Sequence, residues 1–300
     1  MSARETRDQA RARPARSAPG QPWRRRAWFG VGAVLTAVLL ALAMPPSLQG
    51  ILQMTWLSRS APEQVEQLIE GSMDEIWYAG DVRQVRIHGT DRDDLQIRED
   101  FLHVPREPMT RTQAQHGALA VETSCAGQCA TLQSQELAMP QGSDLRVVSA
   151  EGGAYEILGV DGDVDAWIAG GIVDLGGLTG DVEVRTVRAE IFGRSLSGDQ
   201  VSARTTIGGV SLHHSELPIR LDAQSRDGDI TIVLPEGTGA ADCHVDAETD
   251  GAVVVDLPGE DAGGRGEADC RLSLTSESGD ITVIVGDELP EGSAGVSVPD

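Results

Sequence analysis

Gly162-Asp163-Val164 recurs as Gly180-Asp181-Val182 and again as Gly198-Asp199-Gln200-Val201, with the glycines 18 residues apart at both steps. A unit this short cannot bury a core alone, so it has to stack on its neighbours. Laying "DVDAWIAGGIVDLGGLTG" over "DVEVRTVRAEIFGRSLSG" aligns Val164 with Val182, Ala166 with Val184, Ile168 with Thr186, Val173 with Ile191 and Leu178 with Leu196. With one residue allowed for Gln200, the next unit adds Val201, Ala203, Thr205 and Val210. Each unit reads as two short strands of alternating pattern, a Gly-rich turn between them and a Gly-Asp turn at the end.

The fold class this predicts is all-β: a β-solenoid, a single-stranded β-helix-like stack of short strands after one N-terminal transmembrane helix. Rungs would pair at about 4.8 Å while inward aliphatics form columns. A meandering β-sandwich uses the same strands but leaves the 18-residue phase unexplained. Later units look longer, with corners at Gly228-Asp229, Gly251 and Gly279-Asp280. Each is followed by an inward run: Ile230-Ile232-Leu234, Val253-Val255-Leu257 and Ile281-Val283-Val285. By this reading "SRDGDITIVL" at Ser225 lies two rungs before its near copy "SESGDITVIV" at Ser276. Cys243 precedes Gly251 by eight residues and Cys270 precedes Gly279 by nine, so both occupy nearly one place on successive rungs, at a separation a disulfide accepts. Cys125 and Cys129 can close a small local loop.

The N-terminus sets the compartment. Residues 1–26 hold eight arginines against Glu5 and Asp8, while the whole chain carries −23. An acidic body repels phosphate, which excludes nucleic acid as its partner. A salt-adapted surface is a second reading of so many carboxylates. After Arg26 no charge appears until Arg59. Trp28–Met44 would span about 25 Å as a helix, near the short limit for a bilayer. The arginines keep the tail cytoplasmic. A signal peptide cleaved after Ala43 is the rival. The expected organisation is therefore a basic cytoplasmic tail at 1–26, a transmembrane signal anchor at 27–50, a linker at 51–75, an extracytoplasmic β-strand-repeat domain at 76–287 and a flexible tail at 288–300. Within the linker, Val65, Leu68, Ile69 and Met73 fit a helical face, though Glu66–Ile69 can equally begin a strand. Export to an oxidising compartment favours disulfides over zinc for the four cysteines.

An arginine-flanked membrane helix, the close pair Cys125 and Cys129, the "MPQGSDLRVVSAEGG" strand entry at Met139–Gly153 and successive Gly-Asp-Val/Ile repeats stand in a familiar order. In this the chain resembles the bacterial adhesin-type β-strand-repeat proteins built on a domain of unknown function, common in actinobacteria and membrane-anchored. The likeness covers roughly 76–287. It departs from the usual repeat at Arg188–Phe192 and Ile207–Val210. It implies surface adhesion and brings no catalytic residues.

Chemistry in the residues themselves is sparse. The repeat turns Gly162, Asp163, Gly180, Asp181, Gly198, Asp199, Gly228, Asp229, Gly279 and Asp280 read as corners, the glycine taking φ > 0 and the carboxylate bonding nearby N–H groups. Calcium needs six to eight converging oxygens, and no EF-hand or β-roll motif supplies them. A glycan-active enzyme needs a defined carboxylate pair, and usually aromatic platforms. Trp167, Tyr155 and Phe192 read as core. His213-His214, facing opposite ways, reads as a solvated strand end. No cofactor is expected. The function expected is a non-enzymatic, single-pass cell-envelope protein with its C-terminal domain outside, presenting a regular surface to a protein, a glycan or the cell wall. The alternatives are an extracytoplasmic polysaccharide-binding or polysaccharide-degrading β-helix and an envelope-sensing partner of a regulator.

Overall fold

The computed structural model describes residues 63–71, 73–80, 82–101, 110–115, 117–123, 132–259 and 270–286. The chain divides into two units, Met1–Ser60 and Ala61–Asp300, and every described residue belongs to the second. The expected transmembrane helix, the basic tail and the Cys125/Cys129 pair lie outside the described residues.

All regular structure among the described residues is β, in nineteen strands. The first six are β1 (Glu63–Ile69), β2 (Glu75–Gly80), β3 (Gln84–Thr90), β4 (Leu95–Phe101), β5 (Thr110–Gln115) and β6 (Ala118–Thr123). Then come β7 (Leu132–Pro140), β8 (Asp144–Ser149), β9 (Gly153–Leu158) and two long strands, β10 (Val164–Gly176) and β11 (Val182–Leu196). The last eight are β12 (Gln200–Ile207), β13 (Val210–His214), β14 (Arg220–Asp227), β15 (Ile230–Leu234), β16 (Cys243–Thr249), β17 (Val253–Asp256), β18 (Cys270–Ser276) and β19 (Ile281–Val285).

Within the stack, units pair parallel and in register. Val164 faces Val182, Ala166 faces Val184 and Val173 faces Ile191, the 18-residue phase of the sequence. Val182 then faces Val201 and Ile191 faces Val210. A meander would pair its strands antiparallel, so these pairings decide for the solenoid-like stack. β10 and β11 each supply both strands of a rung, their first halves joining one sheet and their second halves another. The first sheet runs β6, β2, β8, β10, β11, β12, β14, β18, β16. The second runs β7, β3, β9, β10, β11, β13, β15, β19, β17. Antiparallel β5 borders β6, and antiparallel β4 and β1 border β7. Alternate residues point between the sheets, where Val164, Ala166, Ile168, Val173 and Leu175 and their counterparts form one core.

Three expectations change. Residues 63–69 form a paired strand inside the expected linker, with Leu68 on its exposed side, because a two-residue alternation there outweighs the helical spacing. The rungs also do not stack in chain order. β18/β19 insert between β14/β15 and β16/β17, so Ile230 pairs directly with Ile281 and the two near-identical phrases are immediate neighbours. At the other end β2/β3 insert between β6/β7 and β8/β9. β16/β17 therefore form a terminal rung. Val253 and Val255, expected inside, are 47% and 45% exposed because no further rung among the described residues covers them.

Cys243 and Cys270 face each other across β16 and β18 and are bonded, with Cα atoms 4.4 Å apart. Closing a loop with a sequence separation of 27 is worth roughly 3–4 kcal/mol on the chain-entropy account. The bond ties the terminal rung to the inserted one. Limited proteolysis of C243S/C270S should give early cleavage within 243–259 while β10–β15 stay protected. Protection of 243–259 equal to the oxidised protein would show that the rung holds without its staple.

Candidate functional site

The Gly-Asp pairs fall on two corners rather than one. Gly162, Gly180 and Gly198 precede strands of the first sheet, whereas Gly228 and Gly279 precede strands of the second. At the first corner the backbone N–H of Asp163 donates to Asp144 Oδ1 at 2.9 Å, and that of Asp181 donates to Asp163 Oδ1 at 2.9 Å. Asp181 then accepts from both the backbone and the side-chain amide of Gln200, each at 3.0 Å, so the inserted residue moves Asp199 out of the ladder. At the second corner Asp280 N–H donates to Asp229 Oδ1 and Ala252 N–H to Asp280 Oδ1, both at 2.8 Å. Glu190 does the same for Gly209 at 2.7 Å. The carboxylates thus satisfy corner N–H groups that would otherwise lack a partner on the next rung. Asp144 and Glu190 belong to these ladders without a Gly-Asp motif.

The glycines have a different reason from the one expected. None of these five has a positive φ. A Cβ on Gly180 would lie 2.4 Å from the carbonyl oxygen of Gly162, and one on Gly279 would lie 2.1 Å from that of Gly228. Space between rungs, not a left-handed turn, demands glycine. Among the described residues no three His, Cys, Asp or Glu side chains gather in a metal-holding arrangement.

Beside the first corner the outer face of the first sheet forms a groove of roughly 480 Å³. Its edge row runs Glu75, Asp144, Asp163, Asp181, then Gln200 and Arg220. The row changes sign along the stack, and Arg271 and His244 continue the basic end. The inner row is Arg146, Asp165, Glu183, Ser202 and Asp222. Arg146 Nε lies 3.5 Å from Asp165 and Arg204 lies 2.5 Å from Asp222, so the guanidinium groups cross-link carboxylates of adjacent rungs.

Two tryptophans border this groove. Trp77 is 45% exposed under the Arg146 guanidinium, 5.5 Å from its ring centre, and Trp167 is 41% exposed. Trp167 is therefore not a core residue, since Ala166 and Ile168 on either side point inward. Of the other two aromatics expected in the core, Tyr155 is buried, its hydroxyl donating to Gly80 O at 3.0 Å, and Phe192 is half-buried.

Two buried titratable groups lie away from the groove. His214, expected at a solvated end, is fully buried in a corner column opposite Leu196, with neither ring nitrogen hydrogen-bonded among the described residues. Burial, aided by His213, lowers its pKa to about 4. Glu99 lies inside the other end of the stack with Thr110, Thr123 and Gln135. Its Oε1 accepts from Thr110 Oγ1 and from Gln135 Nε2 at 3.1 Å, and Tyr78 donates to Gln135 at 2.8 Å. Burial pushes the Glu99 carboxyl up against these hydrogen bonds.

The ladder and the buried imidazole each have a measurable consequence. D181A should lose about 1–2 kcal/mol in urea unfolding, whereas D181N, which keeps the accepting oxygen, should stay near wild type. G180A should lose at least as much, about 1–3 kcal/mol, because backbone has to move. Because the folded pKa of His214 is lowered, its contribution is fully present above pH 6.5 and is lost as pH falls from 6.5 towards 4. The loss should approach about 3 kcal/mol. H214L, matching the leucines of its column, should remove that part of the pH dependence in unfolding measured from pH 7.5 to 4.

The Toastrack DUF4097 family matches residues 128–284. Solved structures similar to the chain include a proposed cell adhesion protein from Clostridium sporogenes, 12% identical, covering 75% of this chain and 100% of that one at a TM-score of 0.33. A proposed adhesin from Bacteroides fragilis is 14% identical, with 75% and 98% covered and a TM-score of 0.38. A proposed lipid-binding protein from Parabacteroides distasonis is 12% identical, with 77% and 96% covered and a TM-score of 0.25. No curated protein matches. The fold rests on its own strand pairings, and with more than half of its length matched, the chain belongs to the Toastrack DUF4097 family.

Proposed function

We propose that this chain is a non-enzymatic, adhesin-type interaction module of the cell envelope, held by a single N-terminal membrane helix with residues 61–300 outside. The observation that carries the reading is the open groove on the first sheet, in which charged groups repeat rung after rung. Asp144, Asp163 and Asp181 cap N–H groups, while Asp165, Glu183 and Asp222 pair with Arg146, Arg185 and Arg204. Such an arrangement makes a long, rigid, patterned surface rather than a nucleophile held against a base. The arginine-flanked uncharged stretch before Arg59 and the disulfide support the anchored, exported placement. The actinobacterial type of the family belongs to the same reading, supported by the absence of lysine and asparagine expected of a GC-rich genome.

The full-length chain should stay with membranes through alkaline carbonate washing, and protease added to intact cells should remove the β-stack. It should also bind isolated envelope fractions, and reversing groove charges at Asp165 and Glu183 to lysine should reduce that binding about tenfold. Substrate turnover abolished by one carboxylate substitution would overturn the non-enzymatic reading, and a chain released by carbonate would overturn the anchor.

A further inference from the structure

We infer that Trp77 and Trp167, with the carboxylates of the adjoining groove, form a binding site for a linear glycan whose sugars are neutral or carry amines. This rests on the interaction-module reading above and names its ligand class. Both tryptophans of the described residues are on the outer face of one sheet, while the core is filled by Tyr78, Tyr155, Phe101 and aliphatics. In a chain with 3% aromatics, placing the two largest rings in solvent wastes the most valuable core-forming side chains unless a ligand covers them.

Register places the rings together. Trp77 pairs with Arg146, Val148 stands two residues further along that strand, and Val148 pairs with Trp167. Two rungs and two residues apart, the rings stand on backbone positions about 12 Å from each other. That is the span of a short oligosaccharide rather than of one sugar ring. Arg146 stacked on Trp77 stiffens the first ring and sets a guanidinium beside it. Val148, 41% exposed, makes the floor between them apolar. Sugar rings offer an apolar C–H face for an indole and a rim of hydroxyls for charged side chains, the mixture found here.

Charge selects among polymers. Carboxylates outnumber guanidinium groups along the groove. A polyanion, whether phosphate- or uronate-based, and an anionic bilayer would both be repelled. Hydroxyls donate to the carboxylates as neutral partners, and free amines meet them as cations. The groups repeat at the rung spacing of about 4.8 Å along the stack axis, which suits a polymer carrying its own repeating donors better than an irregular protein surface. Asp165, half-buried and 3.5 Å from Arg146, shares the rung of Trp167 and the cross-strand row of Trp77, and is placed to take an amine beside the rings.

The test is isothermal titration of the full-length chain in detergent with hexamers of β-linked glucosamine and N-acetylglucosamine, a uronate hexamer and an oligoarginine peptide. Both amino-sugar hexamers should bind, the free-amine form several-fold tighter. W77A and W167A should each weaken both by about tenfold or more, and W167F should retain most of the affinity. D165N should erase the preference for the free amine while leaving the N-acetyl form unchanged. The exposed rings can be removed without a core cavity, and equal unfolding midpoints of the variants confirm that the fold is intact. Absence of binding by both amino-sugar hexamers, binding indifferent to both tryptophans, or tryptophan-dependent capture of the uronate or oligoarginine in their place overturns the proposal. If these failures occur while envelope fractions are still bound, the glycan site alone falls and the interaction module stands.

Discussion

Close approach of one rung to the next at the corners is the contact on which the rest of this structure depends. At Gly180 and Gly279 no room exists for a side chain, so backbone lies on backbone and the strands leaving each corner enter in register. The N–H groups exposed there would be costly to leave unpaired. Asp144, Asp163, Asp181, Asp229, Asp280 and Glu190 answer that need from the preceding rung. A glycine and a carboxylate side by side are two halves of one device: the first admits the neighbour and the second holds it. These six acidic residues have a role set by backbone geometry.

The order of rungs gives the stack its ends. A solenoid built strictly in chain order would finish at β19 with nothing holding its last rung except strand pairing. Here the chain first lays down β16/β17 and then inserts β18/β19 beneath them, against β14/β15. The terminal rung is thereby joined to the body through a strand pair that comes later in sequence and through the Cys243–Cys270 bond. Such insertion adds contacts of long sequence separation, which slows folding relative to a simple coil of successive rungs. It also means that the sheet edge of β14/β15 is completed only after residues 270–285 have been made.

Much of this was legible. The 18-residue phase of Val164, Ala166 and Val173 reappears as Cα pairing, and the nearly equal offsets of the two cysteines before their glycines reappear as a bond. Rung order was not legible, because residues 228–285 present three similar phrases and nothing local says which two touch. The near identity of "GDITIVL" and "GDITVIV" was the available hint, since like side chains stack best on like. The outward tryptophans were readable in principle. With Val164, Ala166 and Ile168 inward, strand parity alone sends Trp167 outward, as Ile76 and Tyr78 send Trp77. Trp167 reads as core only when ring size is weighed above that parity. The same parity through Val210 and Leu212 puts His214 inside, where its polarity argued for solvent.

Those two reversals have opposite meanings. His214 occupies a place its neighbours give to leucine, so it adds a proton-sensitive weak point to a column that needs none for packing. Trp77 and Trp167 occupy places where the stack needs only something soluble, so their apolar area is surplus to folding. A rigid sheet built from glycine columns and capping carboxylates does not need indoles on its outer face, so those positions can be shaped by what they touch. The outer face of the first sheet carries the changes in charge from Glu75 to Arg220 and both exposed indoles. The repeating interior supplies the ruler on which the side chains of the proposed recognition surface are mounted.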